Sequence, residues 1–186
     1  MSLDSVKAWL GENAPDLRLI EVEETTATVE TAAMALGVEP GRIAKTLAVR
    51  AGDHLFLLCT RGDARLDNRK CKQEFGARPR MLGPEETVEI TGHPVGGVCP
   101  FGLKAPLPVY LDVSLKAFEL VYPAGGSLNT SVEVTTERLF ELVGDRWVDL
   151  CRLPEETVGE QGFPGDVRYR PGASGNQRPG DGGHGG

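Results

Sequence analysis

Between Thr91 and Gly102 the chain reads Thr-Gly-His-Pro-Val-Gly-Gly-Val-Cys-Pro-Phe-Gly, four glycines and two prolines in twelve residues. Such a composition excludes a regular helix and predicts a shaped loop, because glycine leaves the main chain free and proline removes a donor and fixes φ. Its exposed amides suit an anion or a developing oxyanion. The same composition also makes an ordinary wide turn between two strands. His93 and Cys99 lie within the loop, a base and a thiol that could form a nucleophilic pair, although no third residue is marked out to orient them.

The second feature is charge. The net charge is −7, yet residues 42–80 hold ten Lys/Arg against four Asp/Glu, a +6 segment on a body of −13. An acidic total argues against a general DNA or RNA binder, whereas a basic stripe on an acidic body can seat one specific RNA. A solvated helix face is the alternative reading of that stripe.

The other cysteines, Cys59, Cys71 and Cys151, stand far apart without a C-x-x-C, so neither a disulfide framework nor a metal knuckle is suggested, and no cofactor motif is present. No window approaches the roughly 20 apolar residues of a membrane span, and the first ten residues lack a signal pattern, so a cytoplasmic protein with no membrane partner is expected. At 186 residues and 40% hydrophobic content, one globular domain with a real core is expected.

The elements that must position these groups can be read in order. Asp4 or Ser5 is predicted to cap a helix with Val6, Trp9 and Leu10 on its apolar face. A strand follows at 17–22, then the hydroxyl cluster Thr25, Thr26 and Thr28, which could line a polar pocket or cap the next helix, 29–36. Pro40-Gly41 turns the chain into a strand at 44–50 with Lys45 at its entrance, and Gly52-Asp53 makes a hairpin with 54–60. Asp67 caps a helix through Phe75, carrying Arg69, Lys70 and Lys72, and a second helix begins at Pro84. Beyond the glycine loop come strands at 108–112 and 119–122 with a helical turn at 114–118 between them. Next are the pair Gly125-Gly126, a lead-in from Ser127 to Val134, a helix capped by Thr135 or Thr136, and an edge strand at 146–151. Residues 157–186 hold ten glycines and three prolines and are expected to be a disordered tail after a domain spanning 1–156. Strands joined by hairpins with helices scattered among them predict an α+β domain around a curved mixed sheet, not a doubly wound fold.

Three stretches together resemble one family: Arg-Ile-Ala-Lys-Thr-Leu-Ala-Val at 42–49, Gly-Gly-Val-Cys-Pro-Phe-Gly-Leu at 96–103, and Ala-Gly-Gly-Ser-Leu-Asn-Thr at 124–130. The chain from about residue 3 to 150 is similar to the YbaK/EbsC family of aminoacyl-tRNA deacylases, which includes the editing domain of bacterial prolyl-tRNA synthetase. The resemblance implies a partial barrel flanked by helices, with the pocket between the lysine strand and the two glycine loops. It implies Lys45 as the catalytic residue, the G-x-x-P-x-G loop as Gly97, Val98, Cys99, Pro100, Phe101 and Gly102 with Gly96 beside it, and a substrate wall from Thr25, Thr26, Gly125, Gly126, Ser127, Asn129 and Ser131. Cys99 stands where relatives commonly carry serine, and Ser131 where they often carry an acid.

The expected activity is therefore hydrolysis of the ester of a mischarged tRNA, with Arg42, Arg65, Arg69, Lys70 and Lys72 contacting the tRNA and a synthetase such as prolyl-tRNA synthetase as a further partner. The alternatives are a non-catalytic tRNA- or nucleotide-binding module of the same fold, and a thiol hydrolase using Cys99. No Ser-His-Asp set is visible, so the attacking group is expected to be water or a group of the substrate.

Overall fold

The computed structural model describes residues 2–154; the proposed tail at 157–186, and the end of the domain at 156, lie outside them. Five helices, α1 (Ser2–Asn13), α2 (Val29–Leu36), α3 (Asn68–Phe75), α4 (Pro84–Thr91) and α5 (Thr136–Val143), surround one large sheet and a small one. The strands are β1 (Arg18–Glu21), β2 (Ile43–Ala51), β3 (His54–Arg61), β4 (Arg65–Leu66), β5 (Arg80–Met81), β6 (Val109–Asp112), β7 (Leu120–Pro123), β8 (Thr130–Thr135), β9 (Arg146–Val148) and β10 (Cys151–Arg152).

The large sheet runs β1-β8-β7-β2-β3-β6-β9 with β5 added to β2, and its two ends do not meet, so the sheet curves without closing. It is mixed: β2 is antiparallel to β3 but parallel to β7, and β3 is parallel to β6. The α+β reading and the curved mixed sheet therefore hold. β2 and β3 are the spine, and their hairpin closes on Gly52-Asp53 with Ala51 opposite His54.

Side chains on the two faces of this spine feed separate cores, as the twofold alternation of a strand requires. Ala44, Ala48, Leu57 and Cys59 join Val6 and Leu10 of α1 and Leu139 of α5 on one face. Val49, Phe56 and Leu58 join Cys71 of α3 and Leu150 on the other. A third, smaller cluster seats Ala32 and Ala33 of α2 against Ile43.

Three local expectations are corrected. α1 begins at Ser2, which puts Asp4 and Ser5 inside the first turn, where the Ser5 hydroxyl donates to the Ser2 carbonyl. The lead-in after Asn129 is a strand, β8, held between β1 and β7 with Val132 and Val134 buried. The edge strand expected at 146–151 is two elements. β9 pairs with β6, and at Leu150 the chain is drawn off the sheet because its N–H donates to Asp112 Oδ1 (2.7 Å) and its carbonyl accepts from Asp67 (2.8 Å), so β10 pairs with β4.

Candidate active site

The site is a consequence of incomplete pairing along β2. On the edge away from β3, β7 pairs with Ile43 and Ala44, and β5 pairs with Val49 and Arg50. Residues 45–48 lie between, without a strand partner on that edge among the described residues. A cavity of about 270 Å³ opens there. Its walls are β2 itself, the loop into α2 (Thr26–Val29), the segment around Leu82 and Thr87, the glycine loop at Val95, Gly96 and Val98, and Ser131 of β8.

The threonine cluster serves three different purposes. Thr28 caps α2 by accepting from the Thr31 amide. Thr25 donates its hydroxyl to the Leu128 carbonyl (3.1 Å) and accepts from the Ala27 amide, so it shapes the loop. Thr26 lines the cavity and is only 6% exposed, yet its hydroxyl has no partner among the described residues. A buried hydroxyl left unpaired costs about 1–3 kcal/mol.

Lys45 lines the cavity on the same strand. Its ammonium donates to the Ala64 carbonyl at 2.6 Å, and burial holds its pKa below that of an ordinary lysine, with Asp63 and Glu30 acting in the opposite sense. Tyr122 closes the wall and is fixed by donating its hydroxyl to Glu133 (3.0 Å).

The glycine loop divides into a facing part and a supporting part. Gly96, at φ 97°, packs its bare Cα against Ala27 and Leu128, where a Cβ would stand 3.0 Å from both side chains. The Gly97 amide donates to the Pro94 carbonyl (2.9 Å), closing a tight turn, so it is already engaged. The amides of Gly96 and Val98 have no partner among the described residues, and both residues line the cavity.

The supporting part points inward. Phe101 is buried against Trp9 at 5.5 Å between ring centroids, and Gly102, at φ 60°, lies under Ser5 of α1. His93 is buried, held by the Ser2 hydroxyl at Nδ1 (2.5 Å) and the Phe101 carbonyl at Nε2 (2.8 Å).

Cys99 does approach His93, with Sγ 3.7 Å from Nε2, so the proximity read from sequence is real. The thiol is fully buried, however, does not line the cavity, and is pushed up to about 12 by desolvation, while the same cause lowers the pKa of His93. A nucleophilic thiol needs its thiolate, and this environment suppresses it. The thiol-hydrolase reading is thereby corrected: Cys99 is a core residue.

The second glycine loop also supports rather than lines. Gly125, Gly126, Ser127 and Asn129 stand outside the cavity wall, as do Gly97, Pro100, Phe101, Gly102 and Thr25. Gly126 packs against Val6, the Ser127 hydroxyl meets Asn129 Oδ1 (3.0 Å) and Thr130 Oγ1 (2.8 Å), and Asn129 clasps Val22 through side chain and main chain. Of the residues singled out in the sequence, the structure brings Thr26, Thr28, Lys45, Gly96, Val98 and Ser131 to one cavity.

Sequence reading missed the small side chains of β2, Ala44, Thr46 and Ala48, together with Thr87 and Val95. A period-two reading of 43–51 puts Ala44, Thr46 and Ala48 on one face and would have found them.

Among the basic residues, Arg42 is engaged: it donates to the Leu120 carbonyl and stacks over Phe118, which Arg61 also covers, each at 4.9 Å. Lys70 is held by Asp149 and the Cys151 carbonyl. Arg65, Arg69 and Lys72 are exposed, and Arg65 stands near enough to Lys45 to disfavour its charge.

Residues 23–142 match the aminoacyl-tRNA editing domain family. The chain is 47% identical over 154 residues to the uncharacterized protein YwhH of Bacillus subtilis, covering 82% of this chain and 98% of that one. It is 36% identical over 126 residues to the proline–tRNA ligase of Shouchella clausii, covering 64% of this chain and 22% of the ligase. The fold is similar to the crystal structure of a candidate trans-editing enzyme for prolyl-tRNA synthetase, at a TM-score of 0.75 and 34% identity over 81% of this chain and 97% of the other. Fold and sequence agree, and this chain belongs to the YbaK-like aminoacyl-tRNA editing domain family.

Proposed function

We propose that this protein is a cytoplasmic trans-editing deacylase that hydrolyses the ester of a mischarged tRNA, with tRNA for proline carrying cysteine, alanine or another small amino acid as the first candidate. The observation that carries this reading is the cavity: a lysine, an unpartnered threonine hydroxyl and unpaired loop amides converge at a break in the sheet of an editing-domain fold. Its small-residue walls, Ala27, Ala44, Ala48 and Ala124, suit a small side chain.

Hydrolysis adds a nucleophilic oxygen to the ester carbonyl carbon, forms a tetrahedral oxyanion, and expels the ribose oxygen, which takes up a proton. The Gly96 and Val98 amides are suited to the oxyanion, and the Lys45 ammonium adds charge stabilisation after exchanging the Ala64 carbonyl for substrate. The Thr26 hydroxyl and Ser131 orient the aminoacyl group. Water is the attacking group, since attack by the neighbouring ribose hydroxyl would only pass the ester from one ribose oxygen to the other and the buried Cys99 offers no thiolate.

In this reading Arg65, Arg69 and Lys72 meet the tRNA backbone first, while Arg42 and Lys70 contribute from more engaged positions, and a synthetase such as prolyl-tRNA synthetase supplies substrate. The test is a deacylation screen over tRNAs charged with matched and mismatched amino acids. Hydrolysis of small mischarged residues with the cognate ester spared supports the proposal. Binding of tRNA without deacylation of any member of the panel would make the protein a binding module on an editing fold.

A further inference from the structure

The two-residue turn of the β2–β3 hairpin makes Ala51 and His54 a hydrogen-bonded pair, and in an antiparallel ladder such pairs alternate. The main-chain groups of residues 45, 47 and 49 therefore face β3, and those of 44, 46, 48 and 50 face the opposite edge. A second bond fixes the same parity independently, because the Ala48 carbonyl accepts from the Leu82 amide (3.1 Å) on that edge. Ala44 pairs there with β7 and Arg50 with β5. Of this set, Ala48 has only its carbonyl bond to Leu82, and Thr46 has no main-chain partner on that edge among the described residues; Thr46 also lines the cavity.

We infer that the Thr46 main chain is the docking site for the aminoacyl group, which pairs with it as a single missing strand residue. This rests on the deacylase reading. An extended amino acid presents its nitrogen and its carbonyl on one side. The substrate α-amine donates to the Thr46 carbonyl, and the ester carbonyl in the ground state accepts from the Thr46 N–H. A residue that exchanges both bonds with one partner is antiparallel to it, and its side chain lies on the partner's face.

An L side chain then falls on the face of Ala44 and Ala48, which are buried, line the cavity and leave room for a small group. A D side chain would be turned to the opposite face, where Lys45 and Leu47 stand. The pairing thus assigns size and chirality discrimination to one strand, with no contact to the reacting atoms required of the alanines.

Amide hydrogen exchange on the full chain tests this, using as probes L-alanine and D-alanine in amide linkage to 3′-amino-3′-deoxyadenosine. The Thr46 amide should exchange fast in the free protein although it lies mid-strand, while Leu47 and Val49 exchange slowly. Saturation with the L-probe should slow Thr46 by about tenfold or more, the scale of one hydrogen bond, and the D-probe should bind more weakly and protect less. Slow exchange at Thr46 before ligand is added overturns the inference. So does an L-probe that shifts the Gly96 and Val98 resonances but leaves Thr46 exchange unchanged, an outcome that spares the deacylase reading. Equal protection by both probes overturns the chirality assignment, and failure of any cavity amide to respond removes both readings together.

Discussion

Lys45 is the residue on which the proposed chemistry depends most. Replacing it by alanine removes a half-buried ammonium that makes one hydrogen bond, to Ala64, and fills no core position. Lys45→Ala should lower kcat by about 10²–10³, the usual loss for one oxyanion-stabilising group, with an unchanged circular dichroism spectrum. Lys45→Arg should recover little, since a planar fork does not reproduce a compact ammonium in a small cavity. Burial lowers the Lys45 pKa, so kcat should fall on the alkaline side at a pH below that at which a free lysine titrates. A rate indifferent to Lys45→Ala would remove it from the mechanism. The lysine could be picked out of the sequence through its motif. The unpaired Thr46 main chain could not, because a missing strand partner is a property of the neighbours.

At the level of elements, the sequence was most legible where local chemistry decides structure. α2 and α3 begin and end where their caps Thr28 and Asp67 and the glycines at 37 and 76 place them, and the β2–β3 hairpin follows from Gly52-Asp53. β8 was not legible, because Thr-Ser-Val-Glu-Val-Thr is hydroxyl-rich and reads locally as turn and cap. Its strand character comes from two long-range partners, β1 and β7. The break at Leu150 is likewise tertiary, set by Asp112 and Asp67. The glycine loop was recognised as shaped, but which residues face the cavity depends on α1 beneath it. Gly102 is the tightest point: a Cβ there would lie 2.5 Å from the Ser5 carbonyl oxygen, at φ 60°. Gly102→Ala should destabilise by about 1–3 kcal/mol and loosen the loop, measured as a lower denaturation midpoint and a reduced kcat. Unchanged stability would mean that α1 is not seated as described.

For the whole molecule, charge and protonation set the expected behaviour. Arg69 and Lys72 are exposed on α3 and carry no ion pair among the described residues, unlike Lys70. Reversing both to glutamate should raise KM for tRNA with little change in kcat, and the effect should shrink as salt rises, because exposed charges act through a screened field. An unchanged salt slope would leave α3 as a solvated face. Stability should depend on pH through the buried thiols. Burial raises Cys59 to about 11 and Cys99 and Cys151 to about 12, so above about pH 8.5 the unfolded thiols lose protons that the folded ones keep. Each then lowers stability by roughly 1.4 kcal/mol per pH unit until its folded pKa is reached. Lys45, shifted downward, opposes one of the three over part of that window. Chemical denaturation at pH 8, 9 and 10 should show a falling midpoint, and a flat profile would mean that the thiols are not sealed from solvent.

The clasp between α1 and the glycine loop also bears on biosynthesis. Ser2 meets His93 and Ser5 meets Gly102, contacts 91 and 97 residues apart in the chain, and Ser131 completes the cavity wall later still. At translation rates of roughly 5–20 residues per second, the β2–β3 hairpin leaves the ribosome several seconds before its pocket can exist. The emerging chain therefore presents its basic segment, including Lys45, to the RNA-rich surface of the ribosome before α1 has anything to clasp. The cavity is complete only when synthesis of the domain is nearly finished.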